Sequence, residues 1–230
     1  VAYAVDTSGS EEHTLRVRDI ASGIDFPDAI TGASGNLCWA GDSATIFYVV
    51  LDAAHRPWCV LRHRLGDDVA SAVVVHQEHD HGFFVGVMLS KSKRFILLET
   101  HSHTTSEARF LPAGEPDGFF RLVRPRVTGV EYDLADHGDR FFVVTNEGAR
   151  NFQLVEVPVG DPAAPWKVVL PPNERVKLDG LEAFADHLVV YEREDGLRQV
   201  RVIDLRSGGQ HRVAFPEPVY TVRRHANPEV

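Results

Sequence analysis

Hydrophobic positions along the chain come in short runs, set apart by polar turns at a nearly constant spacing. The runs are VAYAV at 1–5, IFYVV at 46–50, FILL at 95–98, FFVV at 141–144 and LVVY at 188–191. Aligning Ala2, Phe47, Phe95, Phe141 and Leu188 gives steps of 45, 48, 46 and 47 residues. A second marker keeps the same beat. Asp19-Ile20-Ala21-Ser22-Gly23 and Asp204-Leu205-Arg206-Ser207-Gly208 share the pattern D-[IL]-x-S-G and lie 185 residues apart, four such steps. Self-similarity at a fixed period of this length marks a stacked-repeat architecture.

Each repeat divides into four short strands. In the second they are expected at 36–40, 45–51, 58–65 and 71–76, and in the third at 83–89, 94–100, 106–111 and 118–123. Gly, Pro, Asp, Asn and Ser cluster between them, as tight turns require. Gly41-Asp42-Ser43 and Gly138-Asp139 are explicit examples. No eleven-residue window holds a convincing 3.6-residue apolar period, so helices are not expected. Four-stranded units at this period predict an all-β fold, a β-propeller of antiparallel blades, about five of them in this chain. Blades stacked face to face bury both sides of their second strand, which explains unbroken runs such as Phe141 to Val144. A β-sandwich with evenly spaced strands is the alternative.

The whole chain, 1–230, is expected to form a single, partial propeller domain. Its repeats fall at about 1–31, 32–78, 79–125, 126–172 and 173–215, with a final strand at 216–225. The first repeat opens on a second strand, and Pro218 to Arg223 has the phase of an innermost one. That phase would permit a closed five-blade ring in which the last strand completes the first blade. Met88 is the only methionine and Val1 stands first, so a piece of a longer protein is expected.

Composition narrows the function classes. Of 230 residues 43% are hydrophobic and 25% charged, ordinary for a globular chain with a sizeable core. The net charge of −9 disfavours nucleic acid, whose binding draws on cationic side chains. The one local cluster, Arg121, Arg124 and Arg126, is read as a solvated outer strand and loop. A negative field would suit basic peptides. Cys38 and Cys59 are expected as two buried, unpaired thiols. No apolar run approaches the roughly 20 residues of a bilayer span, and no signal peptide is visible. A cytoplasmic setting with no membrane partner is therefore expected.

Catalytic motifs are scarce. The hydrolase elbow G-x-S-x-G is absent; the nearest string, Gly32-Ala33-Ser34-Gly35-Asn36, lacks the final glycine. There is no P-loop, dinucleotide fingerprint or C-x-x-C pair, so no cofactor is expected. His76, His79 and His81, with Glu78 and Asp80, and the pair His101 and His103 beside Glu99, fall on loops and turns. Zinc needs three or four converging ligands, and no metal is expected at either cluster. Glu131, Asp133, Asp179 and Glu182 lie on or near predicted innermost strands, where five-bladed glycosidases place their acids. Such strands line a wet channel and carry polar residues in any case.

Several strings together point to a family. Phe47 to Gly66 (FYVVLDAAHRPWCVLRHRLG) resembles the oligopeptidase B (protease II) branch of the prolyl oligopeptidase family of serine peptidases. So do Thr104 to Leu111 (TTSEARFL), Val130 to Val155 with VEYD, HGDRFFVVTNEG and NFQLV, and Ala214 to Glu229 (AFPEPVYTVRRHANPE). The likeness runs through nearly the whole chain. It implies part of a seven-bladed N-terminal propeller, joined in the family to a C-terminal α/β-hydrolase domain that carries the Ser, Asp and His of catalysis and the pockets for a substrate Arg or Lys. None of those motifs lies in this chain, so no catalytic residue is carried over. The implied partners are that hydrolase domain of the same polypeptide and, for the whole enzyme, short basic peptides. The implied role is gating: short flexible peptides are admitted and folded proteins excluded. Glu131, Asp133 and Arg223 are expected to face the channel or the partner domain. Asn146 and Asn151 are expected to satisfy turn backbone, and Arg62 and His63 to decorate an outer strand. Two other functions compete: a stand-alone propeller that binds peptide or protein, and a propeller glycosidase.

Overall fold

The structure is a computed structural model and describes residues 1–217 and 219–223. Its regular elements among those residues are eighteen strands and one 3-10 turn at Val69–Ser71. The first sheet runs in order through β1 (Ala2–Val5), β2 (His13–Arg18), β3 (Asp25–Trp39), β4 (Thr45–Leu51), β5 (Pro57–Arg64) and β6 (Val73–Gln77). The second holds β7 (Phe84–Leu89), β8 (Phe95–His101), β9 (Ser106–Pro112) and β10 (Arg121–Arg124). The third holds β11 (Tyr132–His137), β12 (Arg140–Thr145), β13 (Gln153–Pro158) and β14 (Lys167–Leu170). The fourth holds β15 (Val176–Ala183), β16 (His187–Glu194), β17 (Leu197–Asp204) and β18 (Gln210–Arg212). Within each sheet, strands consecutive in the chain pair antiparallel. The chain divides into two compact units, Val1–Pro125 and Arg126–Val230.

There are four sheets where the repeat predicts about five blades, because β3 serves two repeats. Its first half pairs with β2 (Leu15 opposite Ile30) and its second half with β4 (Cys38 opposite Phe47). Gly32 and Gly35 sit between the halves at φ of 73° and 85°. Only glycine takes that conformation without strain, so the strand bends there and changes partners without ending.

The unbroken apolar run of β4 is explained by burial on both faces. Ile46 and Tyr48 join Leu15, Val17, Ile30 and Ala33 on one side. Phe47 and Val49 join Val60, Val85, Ile96, Leu98 and Leu111 on the other, locking the first sheet to the second. In the other unit, Phe142 and Val144 of β12 pack with Leu178, Leu181, Leu188 and Val190 of the fourth sheet. The expected strand at 118–123 starts late, at Arg121. A turn closed by Gly118 N–H on the Glu115 carbonyl (2.9 Å) precedes it and delivers Phe120 edge-on to Phe47, with ring centroids 5.8 Å apart.

The repeated D-[IL]-x-S-G turn has one geometry at both ends. Asp19 Oδ1 accepts from the Ser22 N–H at 2.8 Å, and Asp204 Oδ1 from the Ser207 N–H at 2.7 Å. The closing glycines, Gly23 and Gly208, donate to the carbonyls of Asp19 and Asp204 at φ of 70° and 73°. The residue pattern is the turn's own requirement: a carboxylate to collect N–H groups and a glycine for the left-handed step.

Candidate functional site

Glu131 stands just before β11, an edge strand, and Asp133 lies on it. Alternate residues of a strand share a face. Tyr132, Leu134 and Asp136 are buried, while Glu131, Asp133, Ala135 and His137 form the half-exposed face. Asn146 fixes this strand's entry: its Oδ1 accepts from the Glu131 N–H at 2.7 Å and its Nδ2 donates to the Gly129 carbonyl at 3.0 Å. Asn151 likewise serves backbone, donating to the carbonyls of Asn173 and Glu174 at 3.0 and 2.7 Å.

The other two candidate acids, on β15, are held by partners. Asp179 accepts from Arg193 at 2.9 Å and lies 3.5 Å from Lys177. Glu182 accepts from the Tyr191 hydroxyl at 2.9 Å. Arg223 is exposed. The final strand expected at 216–225 is not formed over 219–223; Pro218, His225 and the intervening Arg224 lie outside the described residues. Instead Tyr220 donates to Gln199 Oε1 (2.9 Å), stacks on Phe215 (4.1 Å between centroids), and the Val222 carbonyl accepts from Arg198 (3.1 Å). Side-chain partners are available on the fourth sheet, and these replace a ladder.

Among the described residues no three His, Cys, Asp or Glu side chains converge as metal ligands. His101 lies with its ring beside Phe84, 6.0 Å between centroids. Cys38 and Cys59 are unpaired and buried, and burial pushes their thiols up to about 12 and about 11. A thiol that stays protonated is a poor nucleophile. Arg121, as expected, is exposed on an outermost strand, and it lies over the Phe110 ring at 5.0 Å.

His63 departs from expectation. It is 2% exposed, not an outer decoration, and its Nε2 lies 2.6 Å from Asp28 Oδ1. Arg62, beside it, is not an outer decoration either: its side chain is largely buried and bridges to the loop before β10, donating to the Pro116 carbonyl at 2.7 Å and pairing with Asp117 at 3.0 Å. The Gly66 N–H also donates to Asp28 Oδ1, at 3.0 Å, so one carboxylate on the first half of β3 ties down β5 and the turn after it. Nothing local signals this pair, because its members stand 35 residues apart. Burial alone would raise the Asp28 pKa; hydrogen bonds from His63, Gly66 and its own amide outweigh that and hold it below the ordinary 3.8. A carboxylate with a depressed folded pKa contributes stability above its unfolded pKa and loses it as pH falls through the folded one. Asp28→Asn is therefore expected to cost about 1–3 kcal/mol at pH 7. It should also flatten the loss of stability below pH 4. Urea unfolding of both chains at pH 7 and through the acid range checks this; parallel acid limbs would refute it.

Antiparallel sheets, one of six strands and three of four, stacked through apolar faces within each unit, define a β-propeller domain. The chain matches over residues 1–229 the family described as "Prolyl oligopeptidase, N-terminal beta-propeller domain", and it belongs to that family. It is 36% identical over its whole length to dipeptidyl aminopeptidase BI of Pseudoxanthomonas mexicana, and 33% identical over 96% of its length to protease 2 of Moraxella lacunata. It spans 32% of the length of each. The structure of oligopeptidase B from Leishmania major superposes with a TM-score of 0.88 at 28% identity, covering 94% of this chain and 32% of that one.

Proposed function

We propose that the chain is the non-catalytic, substrate-gating domain of a serine-type oligopeptidase that cleaves short peptides after Arg or Lys. The observation that carries this is the family match over residues 1–229, joined to the likeness to protease 2 and oligopeptidase B. The partner is a C-terminal α/β-hydrolase domain of the same polypeptide, which supplies the nucleophile. The propeller covers that site, excludes folded proteins and keeps water out during reaction. The net charge of −9 favours the approach of cationic peptides. Glu131 and Asp133, side by side on one face of an edge strand, and Arg223 face the channel or the partner domain. The setting is cytoplasmic and no cofactor takes part.

The test assays the whole gene product and the 230-residue chain on short peptides ending in Arg, Lys or Pro at the cleaved bond. Expected is cleavage after Arg and Lys by the whole product and none by the chain alone. Glu131→Gln with Asp133→Asn in the whole product should raise KM for basic peptides about two- to fivefold at unchanged kcat. A whole product without peptidase activity overturns the proposal, as does hydrolysis of glycosides by the chain. The identity to a dipeptidyl aminopeptidase favours one second reading, release of dipeptides, and product analysis in the same assay separates the two.

A further inference from the structure

At the start of the third strand of several repeats, a side chain reaches forward to the backbone of the segment that follows that repeat's last strand. Arg56 precedes β5, and its guanidinium donates to the carbonyls of Phe83 (2.8 Å), Asp80 (3.2 Å) and Glu78 (3.3 Å), between β6 and β7. Asn151 stands two residues before β13 and grips the Asn173 and Glu174 carbonyls, between β14 and β15. Arg198, second in β17, grips the Val222 carbonyl beyond β18. Positions 151 and 198 are one repeat apart, and 56 and 151 are two. The grip belongs to the repeat.

The two grips that join sheets within one unit differ in strength. Arg56 is 7% exposed, charged and forked, and it holds three carbonyls besides Asp52. Asn151 is neutral and half-buried, and its two bonds are open to water. It borders a polar groove of about 860 Å³ lined by Gly148, Ala149, Arg150, Pro172 and Glu174. Neutral hydrogen bonds in contact with water weigh much less than buried charge-assisted ones. Beneath this rim the apolar layer of Phe142, Leu154, Leu181, Leu188 and Val190 is closed.

We propose that the rim between the third and fourth sheets is a latch, with Asn151 as the catch. Segment 171–175 swings away from 148–151 and widens the groove while the apolar layer below stays packed. Its bearing on substrate admission rests on the gating function proposed above. The rim joining the first and second sheets, held by Arg56, stays shut.

Amide hydrogen exchange on the chain tests the latch. Leu178 N–H, which donates to the Asn151 carbonyl at 3.0 Å, is the reporter, with 173–176 around it. Asn151→Ala is expected to speed exchange over 173–178 about tenfold, leaving β12, β16 and Tm unchanged. Asn151→Asp, which offers the two carbonyls a carboxylate and no donor, should speed it further. Unchanged exchange over 173–178 in both variants overturns the latch. So does faster exchange through all of β11–β18, since Asn151 would then be a brace for the whole unit. In the whole gene product, Asn151→Ala should raise kcat/KM for long peptides relative to short ones. Faster exchange with an unmoved ratio overturns the link to admission; absence of peptidase activity overturns the gating function itself and leaves the exchange result standing.

Discussion

Arg56→Ala is expected to destabilise the chain by about 3 kcal/mol, more than any other single change on its surface or in its turns. The guanidinium sits at the centre of a closed set of bonds. Asp52 Oδ1 accepts from the N–H groups of Ala54 and Arg56, at 2.9 and 3.0 Å, which shapes the turn; its Oδ2 takes Arg56 Nε at 2.9 Å. The remaining nitrogens hold the Glu78, Asp80 and Phe83 carbonyls. Removing the side chain leaves the buried Glu78 carbonyl short of a donor and frees the loop that leads into β7. Lysine offers a point charge where the site is built for a planar fork, so Arg56→Lys should recover less than half of the loss. Urea unfolding reads the difference, with exchange over 78–83 as the local report. A loss under about 1 kcal/mol for Arg56→Ala would show that water replaces the fork at little cost.

That residue also shows what was legible in the sequence. The repeat, the turns and the strand positions follow from local requirements, and they could be read from the runs and from D-[IL]-x-S-G. The double burial of Phe47 and Tyr48 was legible too, because an unbroken apolar run can only be buried on both sides. The shared face of Glu131 and Asp133 follows from strand alternation. Arg56 was not legible from its own neighbours. In DAAHRP it has the look of any polar turn residue, and only the return of loop 78–83 makes it a buried fork. A signal existed all the same: polar residues recur at 56, 151 and 198 in the phase of the repeat. His63 had none. In LRHR it sits between two arginines, the look of a polar outer strand, and its partner Asp28 comes from another repeat. The merger of two repeats through β3 was hidden for a similar reason. Gly32 and Gly35 can end a strand or bend one, and the choice between them is made by the pairing on both sides.

Phe47→Ala is expected to cost about 3–5 kcal/mol, in the range for a large aromatic removed from a packed core. Phe47 is fully buried, and its face of β4 is the one that locks the first sheet to the second. The cavity would open among Val49, Val60, Ile96, Leu98 and Leu111, each fixed in a strand, so little collapse can fill it. The edge contact from Phe120 would go as well, and a double-mutant cycle between the two rings should return about 0.5–1.5 kcal/mol of coupling. Phe119, the next residue along, is the control. It is 91% exposed, and Phe119→Ala should move stability by no more than about 0.5 kcal/mol. Thermal and urea unfolding of the three single variants decides the matter. If Phe47→Ala and Phe119→Ala cost the same, the face of β4 that carries Phe47 is not what holds these sheets together, and the stacked-blade account of the first unit fails with it.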